Sequence, residues 1–199
     1  MKKFERLSPQ KRQEEIQAAA LKIFNEKGFA ATTMENIVQQ VSLSKGGVYR
    51  IYPSTTAILS DLMLSGMHLR NAYYEERVKK EIESGRELTL EFIIGMIADS
   101  MLISPEISSV YVEFLWQMQR NPQLEELYQR ICAMSVEETK TLIRNYNADS
   151  LLLADESILA QMTELMNAAI LSIHVLHLQD YFLKNKEKIC KAILQILKI

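Results

Sequence analysis

Between Ser44 and Tyr52 the chain reads SKGGVYRIY, and three of those side chains can recognise a polyanion. Lys45 and Arg50 can reach phosphate oxygens or the acceptor edge of guanine, and the Tyr49 hydroxyl can donate to a phosphate. Leu43 and Val48 supply the same short segment with an apolar side. Gly46 and Gly47 each cost a helix about 1 kcal/mol relative to alanine, which stability alone does not explain. Close approach to a surface such as a DNA backbone would. The competing interpretation is a surface helix with ordinary charges.

Such residues need a frame. Met34, Ile37, Val38 and Val41 recur at i, i+3, i+4 and i+7, one face of a short helix. Thr32 with Glu35 has the spacing of a capping box, and Thr33 is an equal candidate for the cap. Ser42-Leu43 interrupts that helix, Ser44 can cap the next, and Pro53 stops it near Tyr52. Two short helices joined by a tight turn bury little alone and need a third behind them. Ser8-Pro9 opens that third helix, Ile16, Ala20, Ile23 and Phe24 form its buried stripe, and Gly28 ends it with Phe29 folding back. This is the layout of a helix-turn-helix, whose second helix enters the DNA major groove.

Residues 8–60 resemble the DNA-binding domain of the TetR family of bacterial regulators. The resembling residues are Ala20, Phe24, Gly28, Phe29, Thr32-Thr33, Ile37, the turn Val41–Ser44, Gly47-Val48-Tyr49 and Tyr52-Pro53-Ser54. The resemblance implies a homodimer with an N-terminal helix-turn-helix and a variable helical domain that binds a small effector. It implies a DNA surface of Thr33, Ser44, Lys45, Gly46, Gly47, Tyr49, Arg50 and Thr55. Four positions depart from the family pattern: Ser42 where glycine is usual, Tyr52 where phenylalanine is usual, Ile51 where many members have histidine, and Thr55 where a phosphate-contacting lysine is common.

Length and charge agree. A chain of 199 residues, nearly half of them apolar and with little glycine or proline, suits an all-α protein with a real core. Through Thr55 there are nine Lys/Arg against five Glu, a surplus of four, whereas the remainder carries 14 basic and 20 acidic residues. A basic head on an acidic body suits a phosphate partner at one end. Cys132 and Cys190 stand alone in apolar helical patterns, as small core or interface residues. Met1–Leu7 lacks the apolar core of a signal peptide and no apolar run reaches membrane-spanning length, so the expectation is a cytoplasmic protein with no membrane partner.

About nine helices are expected: a helix-turn-helix domain over 1–53 and an effector-binding and dimerisation domain over 54–199. Ser54 caps a long helix to about Glu83, which connects the two. Further helices span roughly Glu87–Ile103, Ser104 to Asn121, and Pro122–Asn147. After a loop over Asp149–Asp155 come helices to about Gln179 and from Phe182 to Lys198. The last two are apolar around much of their girth, so two faces of each must be buried. Doubling by a two-fold axis would bury one of them in a four-helix interface formed by Met162, Leu165, Ala169, Ile173, Ile189, Ile193 and Leu197. A buried core helix in a monomer is the alternative.

Large soft side chains in the middle helices suggest a ligand cavity lined by Met63, Met67, Phe92, Met96, Met101, Tyr111, Phe114, Met118, Met134, Met166 and His174. Side chains of this kind are also ordinary core. The lone tryptophan, Trp116, falls in the same region and would report ligand entry. His174, His177 and Asp180 have a spacing that could hold a metal, but no supporting Glu-x-x-His or cysteine cluster accompanies them, so no metal and no cofactor is expected. No glycine-rich phosphate loop or nucleophile elbow points to an enzyme. The expected activity is that of a dimeric DNA-binding regulator on an inverted-repeat operator, a repressor released by a small apolar or amphipathic effector. A helical interaction module, or a helical enzyme, with a merely structural helix-turn-helix is the alternative.

Overall fold

The computed structural model describes residues 8–102, 104–145 and 156–197, and among these the chain is all helical. In order the helices are α1 Pro9–Lys27, α2 Met34–Val38, α3 Lys45–Ile51, α4 Thr55–Glu83, α5 Leu90–Ser100, α6 Pro105–Met118, α7 Pro122–Asn145, α8 Glu156–Val175 and α9 Gln179–Leu197. The predicted helix end at Ile103, the loop over Asp149–Asp155 with its cap, and Lys198 lie outside the described residues.

Local chemistry sets the boundaries. The Ser8 hydroxyl accepts from the Lys11 amide and Pro9 follows it, opening α1. Gly28, at a φ of 82°, ends α1 in a conformation that costs a side-chained residue more. Thr33, not Thr32, caps α2, through a reciprocal pair with Asn36. Thr32 is buried, and its hydroxyl donates to the Gly28 carbonyl instead. Ser44 and Ser54 cap α3 and α4 as expected. Thr89 caps α5, which therefore starts later than the expected Glu87. Helix α8 stops at Val175 rather than near Gln179. His177 there takes a left-handed φ of 54° and the Leu178 amide donates to the Ile173 carbonyl. Glycine normally marks such an end, so a histidine in that place conceals it.

One apolar cluster runs from the helix-turn-helix into the body. It joins Ile16, Ala20 and Phe24 of α1, Ile37, Val48, Ile58 and Leu62 to Val110 and Phe114 of α6 and to Leu124 and Leu127 of α7. Helix α4, 29 residues long, spans about 43 Å at its usual rise and meets α1, α5, α6 and α7. Helix α6 lies against α1, α4, α7 and α8. It meets α4 tightly at Gly66, where an added Cβ would stand 2.9 Å from the Ile107 Cγ2 atom. Farther along α6 Glu113 accepts a hydrogen bond from the Phe29 amide, and at its start the Glu106 carbonyl accepts one from Asn25. The turn after α1 is thus held by α6, not by the helix-turn-helix alone. Helix α5 packs against α9, closing the far end of the body.

Candidate nucleic-acid interface

Helices α2 and α3 hang on two fully buried side chains, Ile37 and Val48, facing α1. With that side committed, α3 turns Lys45, Gly46, Tyr49 and Arg50 outward, all exposed. Arg50 has no hydrogen-bond or ion-pair partner among the described residues. Lys45 is not free: its Nζ lies 2.7 Å from Glu35 Oε2 on α2, and the hydrogen bond to that carboxylate raises the lysine pKa. The pair is exposed, so phosphate can displace it at little cost. Thr33 is exposed at the start of α2, and Thr55 is half-buried at the first turn of α4.

The two glycines differ in what they do. A Cβ on Gly47 would sit 3.3 Å from the Ser44 Oγ atom, so this glycine protects the cap of α3. A Cβ on Gly46 would meet nothing within 4 Å. Nothing inside the chain requires glycine at 46. Gly46→Ala is therefore expected to raise stability by about 0.5–1 kcal/mol in thermal unfolding while weakening DNA binding in fluorescence anisotropy. Unchanged DNA affinity in that variant would refute close backbone approach at this position.

Two side chains that depart from the family pattern are explained by contacts. Ser42 receives Glu15 of α1: its amide donates to Oε1 at 2.5 Å and its hydroxyl to Oε2 at 3.0 Å. Among the described residues only His177 combines a side chain with positive φ, so the turn at Ser42 does not require glycine. Tyr52 is buried and its hydroxyl donates to Asp61 of α4, which also accepts from Gln13 at 2.6 Å and from Gln17 at 2.8 Å. Burial pushes the Tyr52 pKa up to about 12, with the Asp61 hydrogen bond adding to it. For Asp61, burial pushes upward, but the three donors outweigh it and hold the carboxyl below its ordinary value. This network fixes α3 against α1 and α4.

In the body, a cavity of about 80 Å³ lies between α4, α5, α6 and α8. Of the residues named for a cavity, Met63, Met67, Met101, Tyr111 and Met166 line it, together with Arg70. The other expected lining residues are elsewhere. Phe114 is fully buried against Tyr111 and Tyr128 in the core. Phe92 and Met96 pack against Tyr74 and Val78. Met118 lines an open groove of about 840 Å³ between α6 and α8, and Met134 is 37% exposed on α7. His174 does not line the cavity; its Nε2 is buried without a partner, and burial holds its pKa below the ordinary value. His177 and Asp180 are exposed at the α8–α9 turn. Trp116 is 60% exposed on the open groove, so its fluorescence would report that groove and not the cavity.

Residues 16–62 match the family model for bacterial regulatory proteins of the tetR family. The matched stretch takes in most of α1, all of α2 and α3 and the start of α4. A relative in Bacillus subtilis (strain 168), the uncharacterized HTH-type transcriptional regulator YfiR, is 26% identical over 139 residues, which is 67% of this chain and 64% of the relative. The chain thus spans just under two thirds of that protein's length. A TetR-family transcriptional regulator from Rhodococcus sp. shares the fold with a TM-score of 0.70 at 13% identity, over 94% of this chain and 98% of that one. Thermus thermophilus FadR, a TetR-family transcriptional repressor in complex with lauroyl-CoA, superposes with a TM-score of 0.62 at 19% identity, over 94% and 93% of the two chains.

In this chain the last two helices turn much of the stripe named for a dimer interface toward their own neighbours. Met162 and Ile173 are buried, and Ala169, Ile189 and Ile193 pack against the same inner clusters as α5. Leu165 is half-buried, and the Leu197 side chain lies outside the described residues. The inner stripe is occupied because α5 covers it. The apolar side chains left open are Leu171, Val175 and Leu176 at the end of α8 and Tyr181, Leu183 and Ile196 on α9.

Proposed function

We propose that the chain is a dimeric transcriptional regulator that binds an inverted-repeat operator through α3 and is released from it by a small amphipathic effector. The observation that carries this reading is the outward face of α3: two cations, a phenol and a glycine with no internal purpose, on a helix anchored from behind by the fully buried Val48. Repression, rather than activation, is the sign proposed for this switch. The TetR-family repressor with lauroyl-CoA, which shares the fold, supports an effector in the body. The exposed apolar residues from Leu171 to Ile196 are the proposed dimer face, since a patch of this kind calls for a partner.

The mechanical link is supported by α4 and α6. Both line the cavity, and both touch the helix-turn-helix, through Asp61 and through Glu113. A ligand that shifts either helix would change the separation of the two α3 helices in a dimer, and DNA tolerates one separation. The test is selection of duplexes by the full-length protein, with anisotropy at several salt concentrations and light scattering in parallel. The expected outcome is a dimer that selects two half-sites roughly 34 Å apart and loses affinity steeply with salt. A monomer at micromolar concentration, or binding without sequence preference, would sink the proposal.

A further inference from the structure

Resting on the reading of an effector-released regulator, the geometry points to the effector's chemical class: a short-chain monocarboxylate held by Arg70. Arg70 lines the cavity of about 80 Å³ and also a neighbouring one of about 50 Å³. Its Nη2 donates to Ser135 Oγ at 2.7 Å, and its guanidinium carbon stands 5.9 Å from the Tyr74 ring centre. Its Nε is buried and has no partner. No carboxylate of the described residues lies within ion-pair distance of it.

A buried donor left unpaired is costly. The Arg70 side chain is half-buried, and Ser100, Ser104 and Ser108 stand with it in the wall of the cavity. The rest of the wall is largely apolar, with methionines that can shift to fit. A guanidinium that lines an apolar chamber with no carboxylate beside it suits a singly charged anion with an apolar tail. A phosphate dianion would lose more hydration on entering. An apolar cavity of about 150 Å³ holds benzene, which has six heavy atoms, so the cavity of about 80 Å³ joined to its neighbour of about 50 Å³ takes roughly five, the size of an acid of three to four carbons. Arg70 and Met166 line both cavities, so a shift of the methionine would join them.

The test is isothermal titration calorimetry of the full-length protein with butyrate, butanol, butylamine and inorganic phosphate, repeated with Arg70→Met and Arg70→Lys. Butyrate should bind the unmodified protein, and the other three at least tenfold more weakly. Arg70→Met should weaken butyrate by roughly tenfold to a hundredfold, the range of a hydrogen bond to a charged group. Arg70→Lys keeps the charge but not the planar donors, and should recover only part of the affinity. Butanol binding as tightly as butyrate overturns the proposal in the unmodified protein, with no need for a variant to fold. So do absence of butyrate binding, and an Arg70→Met protein that stays folded and binds butyrate undiminished. Operator affinity measured without any ligand separates the two readings. Operator binding without butyrate binding refutes the carboxylate and leaves the regulator. Arg70-dependent butyrate binding by a protein that selects no operator refutes the regulator and leaves the site.

Discussion

Replacing Lys45 and Arg50 together by alanine is expected to weaken binding to the selected operator by about 2–6 kcal/mol, since a base contact of this type contributes about 1–3 kcal/mol. In affinity that is roughly 30-fold to 10⁴-fold. The two residues do not weigh equally. Arg50 stands without a partner and loses nothing when it meets DNA. Lys45 must first leave Glu35, so its substitution should give the smaller loss. Both side chains are exposed, and the unfolding temperature should hardly move. If the contacts are to phosphates rather than bases, the loss should be uniform across DNA sequences, and the slope of affinity against salt should fall by about 0.9 for each contact removed per chain. Anisotropy over a salt series with matched and scrambled duplexes distinguishes the cases. A folded double variant with undiminished affinity would show that α3 is not the reading helix.

Phe114→Ala is expected to lower stability by about 3–5 kcal/mol, the range for emptying a large aromatic site in a core. For a chain of this length each kcal/mol shifts the unfolding temperature by about 2–4 °C, so the loss should be about 6–20 °C. The more informative expectation concerns where the loss is felt. Phe114 lies in the body, yet its cluster runs without a break to Ile16 and Phe24 behind the recognition helix. The same helix α6 holds the Phe29 amide through Glu113. The helix-turn-helix should therefore melt with the body in a single calorimetric transition, and operator binding should fail at the same lowered temperature. A DNA-binding part that keeps its own higher melting point would show that the two regions are energetically separate. It would also remove the route by which a ligand in the body reaches α3.

Helix periodicity, caps and breakers are local chemistry, and they are legible in the amino-acid order. Met34, Ile37 and Val38 announce α2, Ser44 and Ser54 open α3 and α4, and Pro53 divides them. The outward face of α3 follows from Leu43 and Val48 being its apolar side. Thr32 and Thr33 could not be ranked that way, because Thr32 is taken up by the Gly28 carbonyl, a contact made only once the turn has closed. Ser42 and Tyr52 read as departures from a pattern. Their reasons, Glu15 and Asp61, stand on other helices, 27 and nine residues away in sequence.

The body shows the division more sharply. Apolar residues on most sides of α8 and α9 say that two faces are buried. They do not say which face meets the chain itself and which is left open. Packing of α5 decides it, placing Met162 and Ile173 inside and leaving Leu171, Val175 and Leu176 uncovered. Methionines and aromatics are likewise candidates for a cavity on composition alone, but a cavity is where three or four helices fail to meet. Met63, Met67 and Met166 fall on that gap, while Phe114 falls on a point of closest contact. Arg70 gave no sign in the sequence, where it sits in an ordinary polar stretch of a long helix. It became a candidate site only when α7 brought Ser135 to it and no carboxylate came along. Local order determines which helices form and which sides are apolar; the meeting of distant helices determines which polar group is left without a partner.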